Sequence, residues 1–307
     1  MTLIALALGL VLEQLATAIL HLRELRWFDR YYDAGLTLIA DWPRWAIYPG
    51  LIGILAVPAL PVYLVSRSLQ GPEIVWDLAY LSFAVLIVFF CLGPRDLGSE
   101  VDEFCQARDS GDDEAAERVL FEMSEAERPR GNDIEVVEDA IFVQSINRIF
   151  GVIFWFVVLG PVGAWIFRVS DLLRRRVVFR HLRGENEGDA VLIAIEAIYG
   201  VLKWIPARLA MLGFALAGSF DDAMNSWRGE LATVGVPIDV RNDMLVARVG
   251  KAAMTGYLRQ VSQEAKLDGD EPANSSAAAR NSMRIVHRTV FLWVIVIAVL
   301  TIFGWAL

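Results

Sequence analysis

Ionisable side chains inside apolar stretches are the residues of this sequence that could do chemistry. Glu13 lies in residues 2–20, a stretch whose only other strongly polar member is Gln14. An ionisable group in a membrane segment costs about 2.5–3.5 kcal/mol on insertion scales, so it usually faces a bundle interior or a water-filled site. Glu13 is therefore a candidate to form an ion pair or to accept a proton. A helix that lies shallowly, with Glu13 at the membrane surface, is the alternative.

A second group of polar side chains stands just before an uncharged run. Gln144, Asn147 and Arg148 follow one another at spacings of three and four residues, which puts them on one face of a helix. Glu138 precedes them in the same stretch. Polar residues at the entry to a membrane segment indicate a polar cavity, although the same pattern also begins many transmembrane helices.

The third group is the sequence Trp204-Ile205-Pro206-Ala207-Arg208-Leu209. Proline removes a backbone donor, so Pro206 predicts that the helix breaks or bends near Trp204. A helix that restarts there presents free N–H groups that attract anions, and Arg208 could add a fork for phosphate or carboxylate. Alternatively, Trp204 and Arg208 only anchor the segment among the lipid headgroups.

Other kinds of site find little support in the sequence. His21, His181 and His287 have no partner at helical metal-ligand spacing, and Cys91 and Cys105 form no metal-type motif. No Walker loop, zinc-protease motif or nucleophile elbow occurs. We therefore predict no metal and no cofactor. The formal net charge of −9 argues against nucleic acid as a partner.

Long apolar runs must position these side chains. The chain is 56% hydrophobic, which exceeds the usual share in soluble domains, and a helix needs about 20 apolar residues to cross a bilayer. The predicted membrane segments are residues 2–20, 46–65, 74–92, 149–167 and 289–307. Arg148 and Arg168 bracket one of these runs, as anchoring arginines do. The sequence thus predicts an all-α, polytopic membrane protein with about five membrane segments.

The stretch 190–218 is apolar but holds Glu196, Lys203 and Arg208, so we predict two amphipathic interfacial helices there instead of a crossing. The chain divides into N-terminal membrane segments (1–92), an acidic extramembrane loop (93–148) and a C-terminal membrane region (149–307). Arginines are concentrated after residue 168, which places that loop in the cytoplasm. If 149–167 is a simple crossing, the acidic loop is periplasmic.

Four stretches carry a family resemblance. They are Met1-Thr2-Leu3 with Leu12-Glu13-Gln14-Leu15 and Trp27-Phe28-Asp29-Arg30; Asn147-Arg148 with Phe154-Trp155-Phe156 and Leu159-Gly160-Pro161-Val162-Gly163-Ala164; Val201-Leu202-Lys203-Trp204-Ile205-Pro206-Ala207-Arg208-Leu209-Ala210; and Leu300-Thr301-Ile302-Phe303-Gly304. In these the chain resembles the AmpE family, within the wider CobD/CbiB-like group of bacterial membrane proteins.

The resemblance implies two different functions. AmpE proteins are regarded as inner-membrane accessories of β-lactamase induction, tied to cell-wall recycling. CobD/CbiB proteins are adenosylcobinamide-phosphate synthases of cobalamin biosynthesis. The synthase pattern has an Asn-x-x-Asp pair before the Phe-Trp of the span, whereas this chain reads Gln144-Ser145-Ile146-Asn147. An amide cannot act as a general base, so the AmpE-like function is preferred.

The expected partners are the lipid bilayer, an anionic small molecule (a muropeptide, a phosphate-bearing ligand or a corrinoid) and a partner protein. The third hypothesis is a transporter of an anionic cell-wall fragment. Transporters of this kind have helices broken near the membrane midplane, and Pro206 predicts such a break. Whether the protein is an enzyme or an oligomer is left open. The candidate ligand-binding residues are Glu13, Glu138, Gln144, Asn147, Arg148, Trp204 and Arg208.

Overall fold

The structure is a computed structural model that describes residues 4–9, 27–71, 74–92, 96–124, 133–184, 189–229, 235–265 and 274–303. Within these ranges the regular structure is helical and contains no strand. Residues 4–9 are helical. The later helices are α1 (Trp27–Ile39), α2 (Arg44–Ser68), α3 (Ile74–Cys91), α4 (Leu97–Ser110), α5 (Asp113–Met123), α6 (Asp133–Ser145), a π-helical turn (Ile146–Phe150), α7 (Gly151–Leu182), α8 (Asp189–Ala217), α9 (Phe220–Arg228), α10 (Ile238–Ala265) and α11 (Ser275–Ile302).

Five segments of the described chain are long and apolar enough to span a membrane: Arg44–Ser68, Ile74–Cys91, Ile134–Leu182, Asp189–Ala217 and Ser275–Ile302. This confirms the all-α, polytopic membrane protein. The predicted segments 46–65, 74–92 and 289–307 fall on α2, α3 and α11. Most of the predicted first segment, Glu13 included, lies outside the described residues.

The segment 134–182 reverses its direction at Gly160. Gly160 has φ 67° and ψ −155°, a backbone conformation that residues with a Cβ atom rarely adopt. Pro161 begins the second helical arm. Gly163 comes back against the carbonyl of Trp155, and the ring of Phe167 lies against Gly151. Residues eight or sixteen apart in a straight helix are about 12 and 24 Å apart, so these contacts require two antiparallel arms. We call residues 133–182 the hairpin, with arms 133–159 and 161–182.

The predicted segment 149–167 lies in a segment apolar enough to span a membrane, but it is not a simple crossing, because the chain reverses at Gly160. A hydropathy profile shows how apolar a stretch is and how long it is, but it does not detect a reversal of the chain within the stretch. Arg148 and Arg168 lie toward the same open end of the hairpin, and both are buried instead of anchoring opposite membrane faces. The uncharged residues 149–159 extend about 16 Å, roughly half of a hydrocarbon core of about 30 Å.

The acidic and basic loops consequently lie on one side of the membrane. Helices α4–α6 share a hydrophobic core with the C-terminal half of α8 and with α9–α11. Arg280 pairs with Asp109 at 2.5 Å, and Lys251 pairs with Asp139 at 2.6 Å. A periplasmic acidic loop facing a cytoplasmic arginine-rich loop could not make these contacts. That expectation rested on a simple crossing at 149–167 and is corrected with it.

Helix α8 continues through Pro206, so the predicted break near Trp204 is also wrong. Proline at position 206 leaves the carbonyl of Leu202 without its helical donor. The indole Nε1 of Trp155 donates to this carbonyl at 3.0 Å. Pro58 in α2 has the same arrangement, because the Tyr31 hydroxyl donates at 2.7 Å to the carbonyl of Ile54. Side chains from neighbouring helices thus replace the missing N–H groups.

Candidate functional site

A π-helical turn presents Asn147 and Arg148 at the open end of the hairpin. The turn spans Ile146–Phe150, and such turns within α-helices are often found at functional sites. Arg148 donates from Nε to Gln144 Oε1 at 3.1 Å and from Nη1 to Glu100 Oε2 at 2.7 Å. Both partners of the Arg148–Glu100 pair are more than 90% buried. The pair ties the hairpin to α4.

Asp171 is the centre of an arginine cluster on the second arm. Its carboxylate is fully buried and accepts from Arg168 Nη1 at 3.0 Å and from Arg175 Nε at 2.9 Å. Arg174 Nη2 approaches its other oxygen at 3.3 Å. Gln144 Oε1 also accepts from Arg175 Nη2 at 3.5 Å, so one amide oxygen joins the two arms.

Lys203 joins α8 to α10 through two carboxylates. Its Nζ lies 2.8 Å from Asp239 Oδ1 and 2.5 Å from Asp243 Oδ1, and the lysine side chain is fully buried. Burial is the main reason that the pKa of Asp243 rises to about 7; the Asp239 carboxylate raises it further, while the Lys203 ammonium opposes the rise. Arg174 Nε lies 3.7 Å from Asp239 Oδ2, which connects this group to the Asp171 cluster.

Tyr199 links the two charged groups to the π-helical turn. Its hydroxyl donates to Asn147 Oδ1 at 3.0 Å, and its ring lies beneath Arg174 Cζ (4.9 Å) and Lys203 Nζ (5.2 Å). Asn147 Nδ2 is buried and has no hydrogen-bond partner among the residues that the structure describes. Leaving a buried donor of this kind unpaired costs about 1–3 kcal/mol. Such a donor is typical of a site where a ligand or another group accepts the hydrogen bond.

We call this set of side chains the hairpin-base network: Glu100, Gln144, Asn147, Arg148, Arg168, Asp171, Arg174, Arg175, Tyr199, Lys203, Asp239 and Asp243. It contains five cations and four carboxylates, so its charge is slightly positive. Buried charges are tolerated when they are paired and hydrogen-bonded in this way. The network brings residues from α4, α6, both hairpin arms, α8 and α10 to one place.

A cleft of 440 Å³ opens beside the network on the second arm. The cleft is lined by three arginines, two carboxylates and apolar side chains, among them Arg174, Arg175, Arg176, Asp29, Glu122, Phe121 and Phe179. Three arginines against two carboxylates leave the lining with one excess positive charge. Arginine forks hold carboxylate and phosphate groups well, so this excess favours an anionic ligand.

The neighbouring α1 fixes the outer arginine of this cleft. Arg176 forms a two-point pair with Asp33 at 2.5 and 2.8 Å, and Arg180 adds a contact at 3.1 Å. The hydrogen bond from Arg176 is the main cause that lowers the pKa of Asp33.

The predicted site residues are only partly brought together. Gln144, Asn147 and Arg148 belong to the hairpin-base network, as their shared helical face predicted. Arg208 lies on α8, stacks on Trp204 with Cζ 4.6 Å from the ring centroid, and donates to Asn242 Oδ1 at 2.5 Å.

Of the two predicted carboxylates, the structure describes Glu138 and not Glu13. Glu138 is buried near the start of the hairpin, next to the pair of Asp139 with Lys251. Glu13 lies outside the described residues, so its predicted pairing with an arginine stays a prediction.

Sequence reasoning missed most of the network. Asp171, Tyr199 and Asp239 were not singled out, and Arg168 was interpreted as a headgroup anchor. The spacing Asp171-x-x-Arg174-Arg175 is a helical ion-pair signal that could have been found. Lys203 inside an apolar run was a second signal. In the described ranges, no cluster of three or more His, Cys, Asp or Glu side chains could hold a metal ion.

Comparison with known proteins gives one family and a few relatives. The family model "Regulatory signalling modulator protein AmpE" matches residues 1–307. The chain is 27% identical over 147 residues to "Cobalamin biosynthesis protein CobD" of Stutzerimonas stutzeri (strain A1501), an alignment that covers 47% of each protein. It is 25% identical over 233 residues to the protein of the same name in Chromobacterium violaceum, covering 71% of this chain and 72% of the relative.

A third relative is "Protein AmpE" of Shigella flexneri, 22% identical over 258 residues, with 82% of this chain and 84% of that protein aligned. The first alignment spans less than half of the Stutzerimonas protein. No solved structure matches the chain.

Proposed function

The chain belongs to the AmpE family, and from this premise we propose that it is an accessory regulatory protein of the bacterial inner membrane. In this proposal it contributes to β-lactamase induction and cell-wall recycling. It acts by binding an anionic ligand, such as a muropeptide, and passing the bound state to a partner protein. The family match over the whole length of the chain supports the regulatory role.

The single observation that carries the ligand proposal is the arginine cleft beside the hairpin-base network. Arg174 and Arg175 contribute to both, so a carboxylate or phosphate in the cleft would compete with Asp171 and Gln144 for the same guanidinium groups. Such competition would loosen the contacts between the two arms. The altered arms would then move α4 through Glu100 and α10 through Asp239. Gln144, Asn147 and Arg148 are the proposed ligand-responsive residues.

The experiment is a thermal-shift and calorimetric titration of the purified full chain with an anhydromuropeptide, followed by an induction assay. Arg175→Ala should weaken binding about tenfold or more, because hydrogen bonds to charged groups contribute about 1.5–3 kcal/mol. The same variant should lower β-lactamase induction in a host that lacks its own AmpE. Arg284→Ala is the matched control, since Arg284 is exposed on α11, a helix that contributes no residue to the cleft. Equal loss in both variants, or no binding by the wild type, would contradict the ligand proposal.

A synthase-type enzyme is the second candidate function, favoured by the two relatives named for cobalamin biosynthesis. Asn147 stands where the synthase pattern has a carboxylate, and its Oδ1 accepts a hydrogen bond from Tyr199. Titration with a corrinoid, followed by the change in its visible absorption, separates the two functions. Corrinoid binding that Arg175→Ala abolishes would favour the enzyme.

The transporter hypothesis loses its main support. It relied on a helix broken at Pro206, and α8 is continuous there. The reversal at Gly160 is the break that the described residues contain, and the sequence has no detectable inverted repeat around it.

A further inference from the structure

An apolar groove of 490 Å³ runs along α2 beside the second hairpin arm and α8. Its lining includes Tyr48, Ile52, Ala56 and Ala59 from one face of α2, Ile166 from the hairpin, and Val201 from α8. Ile52, Ala56 and Val201 are exposed, so the groove is open along its length. All of these residues belong to segments apolar enough to span a membrane. The groove therefore opens toward the hydrocarbon of the bilayer and not toward water.

Arg44 stands at one end of this groove. It is the first residue of α2 and precedes Tyr48 by four positions, so it shares the helical face that continues through Tyr48 and Ile52. Arg44 is exposed and forms no ion pair or hydrogen bond with any residue in the described part of the chain. Trp45 beside it is 78% exposed, and tryptophans of this kind lie at the level of the lipid headgroups. Arg44 thus places a positive charge at the headgroup end of the groove.

We propose that the groove binds one acyl chain of an anionic phospholipid, with Arg44 holding the phosphate of its headgroup. The apolar lining fits the hydrocarbon chain, and the small side chains of Ala56 and Ala59 leave the space for it. The charge of Arg44 selects an anionic headgroup over a zwitterionic one, because a basic residue near the surface attracts anionic lipids. The bound chain also fills the gap between α2 and α8, which share few other contacts, and supports the hairpin from the lipid side.

The test is native mass spectrometry of the delipidated full chain, titrated with phosphatidylglycerol or phosphatidylethanolamine of identical acyl chains. The wild type should bind phosphatidylglycerol about fivefold more tightly, the factor expected for one basic residue near a membrane surface. Arg44→Gln should remove this preference and keep binding of both lipids. Arg67→Gln, at the opposite end of α2, should leave the preference unchanged.

The groove itself is tested by a pair of neighbouring substitutions. Ala56→Phe fills the groove and should lower the affinity for both lipids at least fivefold. Val57→Phe is the control, because Val57 is 59% exposed and does not line the groove. Equal affinity of the wild type for the two lipids, an unchanged preference in Arg44→Gln, or equal effects of the two phenylalanine variants would each overturn the proposal. Thermal unfolding of each variant confirms that it is folded before its binding is compared.

Discussion

The ring of Phe167 occupies the space that a side chain on Gly151 would need. The two residues lie on opposite arms of the hairpin, sixteen positions apart in the sequence. Their contact shows that the arms pack tightly at this level, where a glycine on one arm receives an aromatic ring from the other. The antiparallel arrangement of the arms thus depends on the absence of a side chain at position 151.

Gly151→Ala should therefore destabilise the protein by about 1–3 kcal/mol, the usual cost of overpacking a core. Gly53→Ala is the matched control, because Gly53 is also helical and its added Cβ would meet no atom within 4 Å. Alanine there should be neutral or slightly stabilising. Thermal unfolding in detergent measures both. Equal midpoints for the two variants would contradict tight packing of the arms.

The reversal at Gly160 also predicts which residues share a side of the membrane. Glu117→Cys on α5 and Asn225→Cys on α9 should react alike with a membrane-impermeant maleimide, and only after spheroplasts are permeabilised. Gln70→Cys, beyond the end of α2, should react in intact spheroplasts. Cys91 and Cys105 are buried, so they should contribute little background. Labelling of Glu117→Cys but not of Asn225→Cys in intact spheroplasts would contradict the reversal and mean that 149–167 crosses the membrane.

Asp171→Asn should be strongly destabilising. It removes the carboxylate that Arg168, Arg174 and Arg175 share, and with it the ion pair of the fully buried Arg168. Breaking a buried pair in this way typically costs about 3–5 kcal/mol. The control is Asp109→Asn, because its pair with Arg280 is exposed and should leave the unfolding midpoint nearly unchanged. A similar small shift in both variants would indicate that water reaches Asp171.

Trp155 and Pro206 should be energetically coupled. In the wild type, Trp155→Phe leaves the Leu202 carbonyl without a donor and should cost about 1–3 kcal/mol. In the Pro206→Ala background the backbone N–H of residue 206 can serve that carbonyl, so the same tryptophan substitution should cost about 1 kcal/mol less. A double-mutant cycle of unfolding free energies measures the difference. Strict additivity would show that the indole hydrogen bond does not compensate for the proline.

Asp243 should make stability depend on pH between about 4 and 7. Burial raises its pKa to about 7 in the folded protein, whereas an unfolded aspartate titrates near about 4. In this window the folded state keeps a proton that the unfolded chain releases, so stability falls as pH rises. Asp243→Asn should flatten this part of the profile of unfolding midpoint against pH. An unchanged slope in that variant would assign the pH dependence to other groups.

The apolar runs predicted α2, α3 and α11, because a helix that spans the bilayer needs an apolar sequence whichever helices it packs against. The shared face of Gln144, Asn147 and Arg148 was also predictable, since helical spacing is local. The reversal at Gly160 was not, because Gly160-Pro161 lies in an uncharged run whose hydropathy is the same whether straight or folded. The pair of Lys203 with Asp239 spans 36 positions and exists only once α8 and α10 have packed.

The uncharged apex of the hairpin has an electrical consequence. Residues 149–167 carry no charge, and they stand between the hairpin-base network and the opposite face of the membrane. Moving one elementary charge across a membrane at 100 mV is worth about 2.3 kcal/mol, so charged side chains spread through the whole bilayer would feel the membrane potential. The folded-back apex is an uncharged, apolar layer between the network and the opposite face of the membrane. The charged side chains of the network are thereby confined to the open end of the hairpin, on one side of this layer.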